Sequence, residues 1–377
     1  MPTEAADGTT AIEGMRVVDC GVQVQETADD LLAHMDAETA AREFVDLSNN
    51  PRGDIYGGFS AYPLYEYKRT TADGTRVADG EITDSIGPGA VADLCAANGV
   101  DTGVANPTLN LGLAEVNNDR FAVALASAYN DWLVEGLDDH DRLVGNMVVA
   151  PQHPERAAEE IDRVAGESSI VGLHLPITGG EHPAGHRSFE PVYAAAADHG
   201  LPITLQPTVG ASSFHQQFYE SEYFAQDYAV HHPFLTLRSL TSILFEGVPV
   251  RYPALDFVVL DCGVDFAPYA TMRLDDHYLE LGYEIPALDR LPSEYLDDSV
   301  YWGTAPVHDA AVHPDPAYLA HTIEIVGPEN VLFASDLPHP ATDTPEQVYE
   351  LLDEHFEASA LAAMFGETAA TVFGLDA

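Results

Sequence analysis

The chain has 377 residues, of which 46% are hydrophobic, and its 62 Asp and Glu against 15 Lys and Arg give a formal net charge of −47. This apolar content is enough for a large core and excludes a disordered chain, while the negative charge argues against nucleic acid and anionic membranes as partners. Because the acidic residues are spread along the whole length, we interpret them as a halophilic surface, solvated at very high salt, rather than as an acidic interaction arm.

The cysteines and the N-terminal residues indicate the cellular compartment of the protein. Cys20, Cys95 and Cys262 show neither metal-type spacing nor an even disulfide set. Residues 1–14 are acidic and lack the regions of a signal peptide, and no apolar run approaches the ~20 residues of a membrane helix. The sequence predicts a soluble cytoplasmic protein with an acidic extension at 1–14 and one domain at 15–377.

Short β-branched stretches alternate with longer amphipathic ones, which is typical of repeated βα units. The first predicted strand covers residues 15–23, and a Gly- and Tyr-rich stretch at 49–68 is predicted as a long loop. The elements predicted next, in chain order, are helix 89–98, strand 99–104, helix 119–137, strand 143–150, helix 154–166, strand 170–175, helix 190–199, strand 202–205, helix 235–246, strand 256–260, helix 316–326, strand 331–334 and two helices after 344.

Residues 278–300 are predicted to be irregular because Pro286 and Pro292 interrupt them. Seven or eight parallel strands with intervening helices, and no glycine-rich dinucleotide motif, predict an α/β fold of the (β/α)8 TIM-barrel type. A doubly wound sheet is the alternative.

The most informative motif lies where the last predicted strand ends. Leu332-Phe333-Ala334-Ser335 is followed by Asp336, a proline turn and His339. Barrel enzymes carry catalytic or metal-binding groups at the C-terminal ends of their strands, so Asp336 is a candidate catalytic residue.

Four motifs carry a family resemblance that spans most of the chain. They are Asn130-Asp131-Trp132-Leu133, the stretch from Arg142 to Gln152, Pro292-Ser293-Glu294-Tyr295, and Ser335-Asp336-Leu337-Pro338-His339. Together they resemble the amidohydrolase superfamily, in the branch containing aminocarboxymuconate-semialdehyde decarboxylase. The resemblance implies a barrel enzyme that hydrolyses or decarboxylates a small organic acid, amide or ester with the help of a metal ion.

The chain departs from the family at the metal ligands. The family's first strand carries Asp-x-His-x-His or Asp-x-Asp-x-His, and alignment on Asp19 puts Gly21 and Gln23 at the ligand positions, while Gln206 replaces the histidine after strand five. A regular strand would place Asp19, Gly21 and Gln23 on one face and Cys20 on the other. Catalytic zinc needs three protein ligands. We therefore expect no tightly bound cofactor, and at most a weak zinc or magnesium site at Asp336.

Two strands supply further candidate residues. Asp261 and Cys262 fall where decarboxylases of this branch carry a catalytic histidine, and His174 ends strand four. We predict catalytic roles for Asp336, Asp261 and His174, and substrate-binding roles for His339, Gln206, Gln23 and Cys262. The structural alternatives are a hydrogen-bonded core histidine for His174, a small core residue for Cys262 and a turn-stabilising role for His339.

Two functions remain open from the sequence. The first is a working hydrolase or decarboxylase with Asp336 as general acid or base, assisted by Asp261 and His174. The second is a non-catalytic barrel, which loss of ligands on two strands would explain. The expected partner is a small-molecule ligand. The family resemblance adds a possible homodimer, and the non-catalytic function adds a catalytically competent paralogous barrel as a partner subunit.

Overall fold

A computed structural model describes residues 14–36, 66–70, 76–81, 86–116, 118–138, 140–177, 182–207, 224–307, 317–339 and 342–375, with the isolated positions 12, 38, 39 and 180. The predicted extension at 1–14, and residues 49–65 of the loop predicted at 49–68, lie almost entirely outside the described residues. The strands β2 (Glu66–Thr70) and β3 (Arg76–Glu81) pair as a two-stranded antiparallel sheet. The prediction of loop up to residue 68 is therefore wrong at its end.

Eight parallel strands form the barrel, and their spatial order follows the chain order throughout. They are β1 (Val18–Gln23), β4 (Thr102–Asn106), β5 (Leu143–Val148), β6 (Ile170–His174), β7 (Ile203–Leu205), β8 (Phe257–Val259), β9 (Val300–Gly303) and β10 (Val331–Leu332). The predicted (β/α)8 barrel is confirmed. A doubly wound sheet would reverse the strand order at a switch point, so that alternative is wrong.

Backbone hydrogen bonds close the barrel between its first and last strands. The Cys20 N–H donates to the Phe333 carbonyl over 3.0 Å, and the Gln23 N–H donates to the Leu337 carbonyl over 2.7 Å. The Asp19 carboxylate also accepts from the backbone N–H groups of Gly21 and Ser335, at 2.9 and 3.0 Å. Asp19 therefore links β1 to the residues that follow β10.

Helices surround the sheet, and the helices at 119–137 and 190–199 have the predicted bounds. The helices are α1 (Ala28–Ala33), α2 (Pro88–Ala97), α3 (Asp119–Leu137), α4 (Pro154–Val164), α5 (Glu190–His199), α6 (Phe224–Phe245), α7 (Val248–Arg251), α8 (Phe266–Leu281), α9 (Pro292–Ser299), α10 (Tyr318–Val326), α11 (Pro345–Leu352), α12 (Ala358–Ala362) and α13 (Thr368–Val372). Within the described residues, no helix combines the length and apolar composition needed to cross a membrane.

The segment predicted to be irregular is the main error in the secondary structure. It contains the end of α8, the helix α9 and the first residue of the barrel strand β9. Pro292 occupies the first turn of α9, where a missing N–H breaks no intrahelical hydrogen bond, so it starts a helix rather than interrupting one.

Two apolar layers hold the barrel. The larger one packs the outer faces of the strands against the helices, and the smaller one fills the barrel interior. Phe373 belongs to the interior layer, and the side chain of Arg16, just before β1, donates to the Leu375 carbonyl. The C-terminal residues therefore cover the end where the strands begin, and the opposite end forms the mouth.

The predicted alternation of β1 is wrong. Val18 and Cys20 belong to the interior layer, whereas Val22 packs in the outer layer. The pairing of β1 with β4 shifts register between Asp19 and Val22, so the extra residue resets which face each side chain takes. Cys20 therefore points inward, but it is fully buried among apolar side chains below the mouth.

Candidate active site at the barrel mouth

Four polar side chains meet at the C-terminal ends of the strands. Gln23 ends β1, Gln206 follows β7, Asp261 follows β8, and Asp336 follows β10. Asp261 and Asp336 both adopt left-handed backbone conformations, with φ of 59° and 63°. Few residues other than glycine take this conformation, and such positions cluster at functional sites.

Each aspartate at the mouth is paired with a glutamine. Gln23 Nε2 donates to Asp336 Oδ1 over 2.6 Å, and Gln206 Nε2 donates to Asp261 Oδ2 over 2.5 Å. The two positions where the family resemblance leads one to expect histidine thus supply N–H donors to the two carboxylates.

Burial and mutual repulsion both act on these carboxylates. Burial is the largest cause that raises the pKa of Asp336 well above its usual range, followed by the negative charges of Asp261, Asp343 and Asp19, with Gln23 opposing them. Burial also raises the pKa of Asp261 to about 6, against the hydrogen bond from Gln206. The Asp336 side chain is still 24% exposed, so a ligand can reach a group that favours its protonated form.

His339 lies beside Oδ2 of Asp336, while Oδ1 of Asp336 accepts from Gln23. Its Nδ1 is 3.5 Å from Asp336 Oδ2, and its backbone N–H donates to the Asp336 carbonyl over 2.7 Å. Burial lowers the pKa of His339 to about 4, so the imidazole is neutral at neutral pH. The contacts fit both the ligand-binding role and the turn-stabilising alternative.

His174 is fully buried on the inner face of β6, next to Thr204 of β7. Burial lowers its pKa to about 3, and neither ring nitrogen has a hydrogen-bond partner among the described residues. The described residues therefore do not support the alternative of a hydrogen-bonded core histidine. Its predicted catalytic role remains a prediction.

Cys262 lies against the helix layer. Its Sγ is 2.8 Å from Thr236 Oγ1 of α6, and burial raises the pKa of the thiol to about 12. The side chain is a neutral thiol at neutral pH, and its predicted contact with substrate remains a prediction.

Sequence reasoning missed a second layer that supports Gln23. The Thr108 hydroxyl donates to Gln23 Oε1 over 3.3 Å. The buried Glu26 carboxylate accepts from the Thr108 backbone N–H at 3.1 Å and from the backbone and side-chain amides of Asn110, both at 2.8 Å. Polar residues directly after β4, at the same lip as Gln23, are the signal that could have identified this loop.

These residues do not fit a catalytic zinc ion. Gln23 and Gln206 direct N–H groups at the carboxylates, and the described residues contain no group of three His, Cys, Asp or Glu side chains able to hold a metal. Gly21 has no ligand atom, and a Cβ added there would lie 2.8 Å from the Ala334 Cβ. We therefore assign no step at this mouth to a metal ion.

Comparisons with known families and solved structures support the barrel fold. The sequence profile of the family described as Amidohydrolase matches residues 83–375. The chain belongs to the amidohydrolase family. The predicted membership of this enzyme superfamily is confirmed. In barrel enzymes generally, the C-terminal ends of the strands form the active-site end.

Solved structures extend the likeness to nearly the full chain of this amidohydrolase. An amidohydrolase from Mycobacterium avium subsp. paratuberculosis K-10 matches with a TM-score of 0.74 and 19% identity, over 96% of this chain and 100% of that one. The 5-carboxyvanillate decarboxylase of Sphingomonas paucimobilis matches with a TM-score of 0.68 and 21% identity, over 96% and 99%.

A third structure is the dihydroxybenzoic acid decarboxylase of Polaromonas sp. JS666, with bound manganese and the inhibitor 2-nitroresorcinol. It matches with a TM-score of 0.65 and 16% identity, over 96% of this chain and 98% of that one. At these identities the three structures establish the shared fold.

Proposed function

We propose that this amidohydrolase removes the carboxyl group of a small hydroxylated aromatic acid. The observation that carries the proposal is the carboxylate pair Asp261 and Asp336, partly exposed at the mouth, with raised pKa values. Replacing a carboxyl group by hydrogen needs an acid that is protonated near neutral pH, and burial of this pair favours that form. Two of the similar folds belong to aromatic-acid decarboxylases, which supports this substrate class.

Asp336 is the proposed proton donor. Its Oδ1 accepts from Gln23, so the proton occupies Oδ2, the oxygen nearer to His339. Transfer of this proton to the ring carbon that bears the carboxylate forms a C–H bond. The C–C bond then breaks, its electrons return to the ring and carbon dioxide leaves, so that atoms and charge balance. Asp261 or solvent returns a proton to Asp336.

Gln206 and His174 are the proposed contacts for substrate hydroxyl groups. Gln206 Oε1 and both nitrogens of His174 are buried and lack hydrogen-bond partners among the described residues. Buried polar atoms of this kind are costly unless a ligand or water satisfies them. Gln23, His339 and Cys262 complete the predicted set of ligand contacts at the rim.

A non-catalytic barrel that binds such an acid is the second candidate. The family resemblance supports it, because alignment on Asp19 puts Gly21 and Gln23 at positions of metal ligands and Gln206 in the place of a ligand histidine. In this case the two Asp–Gln pairs would serve ligand binding, and the chain would act alone or beside a catalytically competent barrel.

The test is turnover of a panel of hydroxylated benzoic acids, followed by ultraviolet absorbance and carbon dioxide release in about 1 M potassium chloride. We expect Asp336→Asn to lower kcat at least about 100-fold, the usual loss on removing a general acid. Asp353→Asn, at an exposed site outside the mouth, is the matched control and should keep full activity. Turnover by Asp336→Asn equal to the parent rate would refute the proposal. Saturable binding with no turnover would favour the second candidate.

A further inference from the structure

We infer that two carboxylate–carboxamide pairs take the place of the family's divalent cation, so that this mouth holds its acidic side chains without a metal ion. The inference shares its location with the proposed function, but it concerns how the site is neutralised rather than which reaction occurs there. It follows from the geometry of Gln23, Gln206 and Gly21.

A hydrogen bond from Thr108 fixes the orientation of the Gln23 carboxamide. Its Oε1 accepts from the Thr108 hydroxyl, which leaves Nε2 to donate to Asp336 over 2.6 Å. Glu26 holds the backbone of Thr108 and both amide groups of Asn110, so the loop that carries the hydroxyl is itself anchored. Gln23 therefore presents an N–H group, and not its oxygen, to the carboxylate.

Gln206 makes the equivalent contact with the second carboxylate. Its side chain is almost completely buried and donates to Asp261 over 2.5 Å. The carboxylates of Asp261 and Asp336 thus each accept a hydrogen bond from a glutamine amide. After burial, the negative charge of Asp261 is the next cause that raises the pKa of Asp336, so the two carboxylates interact electrostatically.

Amide hydrogens and a divalent cation compete for the same carboxylate lone pairs. An N–H group carries partial positive charge and offers no lone pair, whereas magnesium and manganese need oxygen or imidazole donors. The third family position offers no compensation, because a Cβ at Gly21 would lie 2.8 Å from the Ala334 Cβ and 3.3 Å from the backbone N of Ser335. The packing of β1 against β10 therefore leaves no room for a ligand there.

Manganese binding without substrate tests the inference. The chain is stripped with a chelator and titrated calorimetrically with Mn²⁺ in about 1 M potassium chloride, which screens adventitious binding to the acidic surface. We expect no saturable site in the parent chain and the same result for Asp336→Asn. The double variant Gln23→Glu, Gln206→Glu exchanges each N–H donor for a carboxylate oxygen at constant size.

The double variant should bind one Mn²⁺ at least about 100-fold more tightly than Gln347→Glu, since affinity rises with the number of charged ligands. Gln347→Glu adds the same type of charge at an exposed helix start, where the side chain accepts from the Thr344 N–H. A folded double variant that gains no affinity over this control would overturn the role of the amides. If it does not fold, Gln206→Glu replaces it in the same comparison.

One saturable Mn²⁺ per parent chain, lost in Asp336→Asn, would overturn the inference directly. The outcome is independent of turnover. A parent chain that binds no manganese and decarboxylates nothing contradicts the proposed function alone. A chain that decarboxylates its substrate and binds stoichiometric manganese contradicts this inference alone.

Discussion

Three aspartates of the barrel show how position sets the role of a carboxylate. Asp19 is fully buried and accepts from two backbone N–H groups, so it joins β1 to β10. Asp261 and Asp336 lie past their strand ends in left-handed backbone conformations, partly exposed, and each accepts from one amide. Asp19 Oδ1 makes its contacts within the fold, and Asp19 Oδ2 is buried without a hydrogen-bond partner among the described residues. Asp261 and Asp336 instead retain exposed surface for chemistry.

Asp261 gives a prediction on pH dependence. Burial raises its pKa from 3.8 to about 6, so its contribution to stability is fully present below pH 3.8 and is lost as the pH rises through about 6. Asp261→Asn stays neutral and should lose less stability over this range, by on the order of 1 kcal/mol. Urea unfolding at several pH values in about 1 M potassium chloride measures the difference.

The control for this prediction is Asp353→Asn, which removes an exposed carboxylate and should follow the parent pH profile. If the stability of the parent chain and of Asp261→Asn changes with pH in parallel, burial does not disfavour the ionised form of Asp261 in the folded chain.

At the scale of elements, the motif that carries much of the family resemblance is structural. Asn130 of α3 accepts from the Val148 N–H and donates to the Val148 carbonyl and to Glu160 Oε1, at 2.8, 3.0 and 2.8 Å. Arg163 of α4 bonds both Asp131 and Glu160. The motif therefore fastens two helices to the end of β5, which explains why it identifies the fold without identifying a reaction.

The barrel and Asp336 could be predicted from the sequence, because βα alternation and a polar residue at a strand end are local patterns. Gln23, Gln206 and Asp261 are predicted from the family resemblance. The two glutamine–aspartate pairings could not be predicted, since they join residues more than fifty positions apart. The register shift in β1 also escaped local patterns, because it depends on how β1 packs against its neighbours. The helix start at Pro292 has a local signal, but proline is favoured in the first turn of a helix as well as at breaks, so this signal is ambiguous.

Close approach of β1 and β10 gives a prediction at this scale. A Cβ at Gly21 would lie 2.8 Å from the Ala334 Cβ, so Gly21→Ala should destabilise the fold by about 1–3 kcal/mol, the usual cost of overpacking. Adding Ala334→Gly removes the opposing atom and should recover at least about 0.5 kcal/mol as coupling between the two sites. Urea unfolding of the two single variants and the double variant measures both effects.

Gly166→Ala is the matched control, because no atom lies within 4 Å of its added Cβ and the site is exposed. This substitution should be neutral or slightly stabilising. Strict additivity of Gly21→Ala and Ala334→Gly would mean that the two strands do not press on each other at this point.

At the scale of the whole molecule, several of the few cations among the described residues form local ion pairs. Arg156 pairs with Glu159, Arg251 with Glu190, and Arg290 with Asp298, at 2.6, 3.1 and 2.5 Å. With 15 basic against 62 acidic residues, such pairs neutralise only a small part of the negative charge. The remaining acidic side chains repel one another across the surface, and mobile ions have to screen them.

Stability is therefore expected to rise with salt. The screening length falls from about 30 Å at 0.01 M to about 3 Å at 1 M, which shortens repulsion to the distance between neighbouring side chains. The melting temperature should increase by at least about 5 °C over this range of potassium chloride, as expected for a gain of a few kcal/mol in a chain of this size. Sucrose at matched osmolality separates charge screening from general exclusion of solute, and it should give a smaller rise. A melting temperature that is flat in potassium chloride, or that rises equally in sucrose, would show that surface repulsion does not limit this fold, and the interpretation of the acidic surface as an adaptation to salt would have to be abandoned.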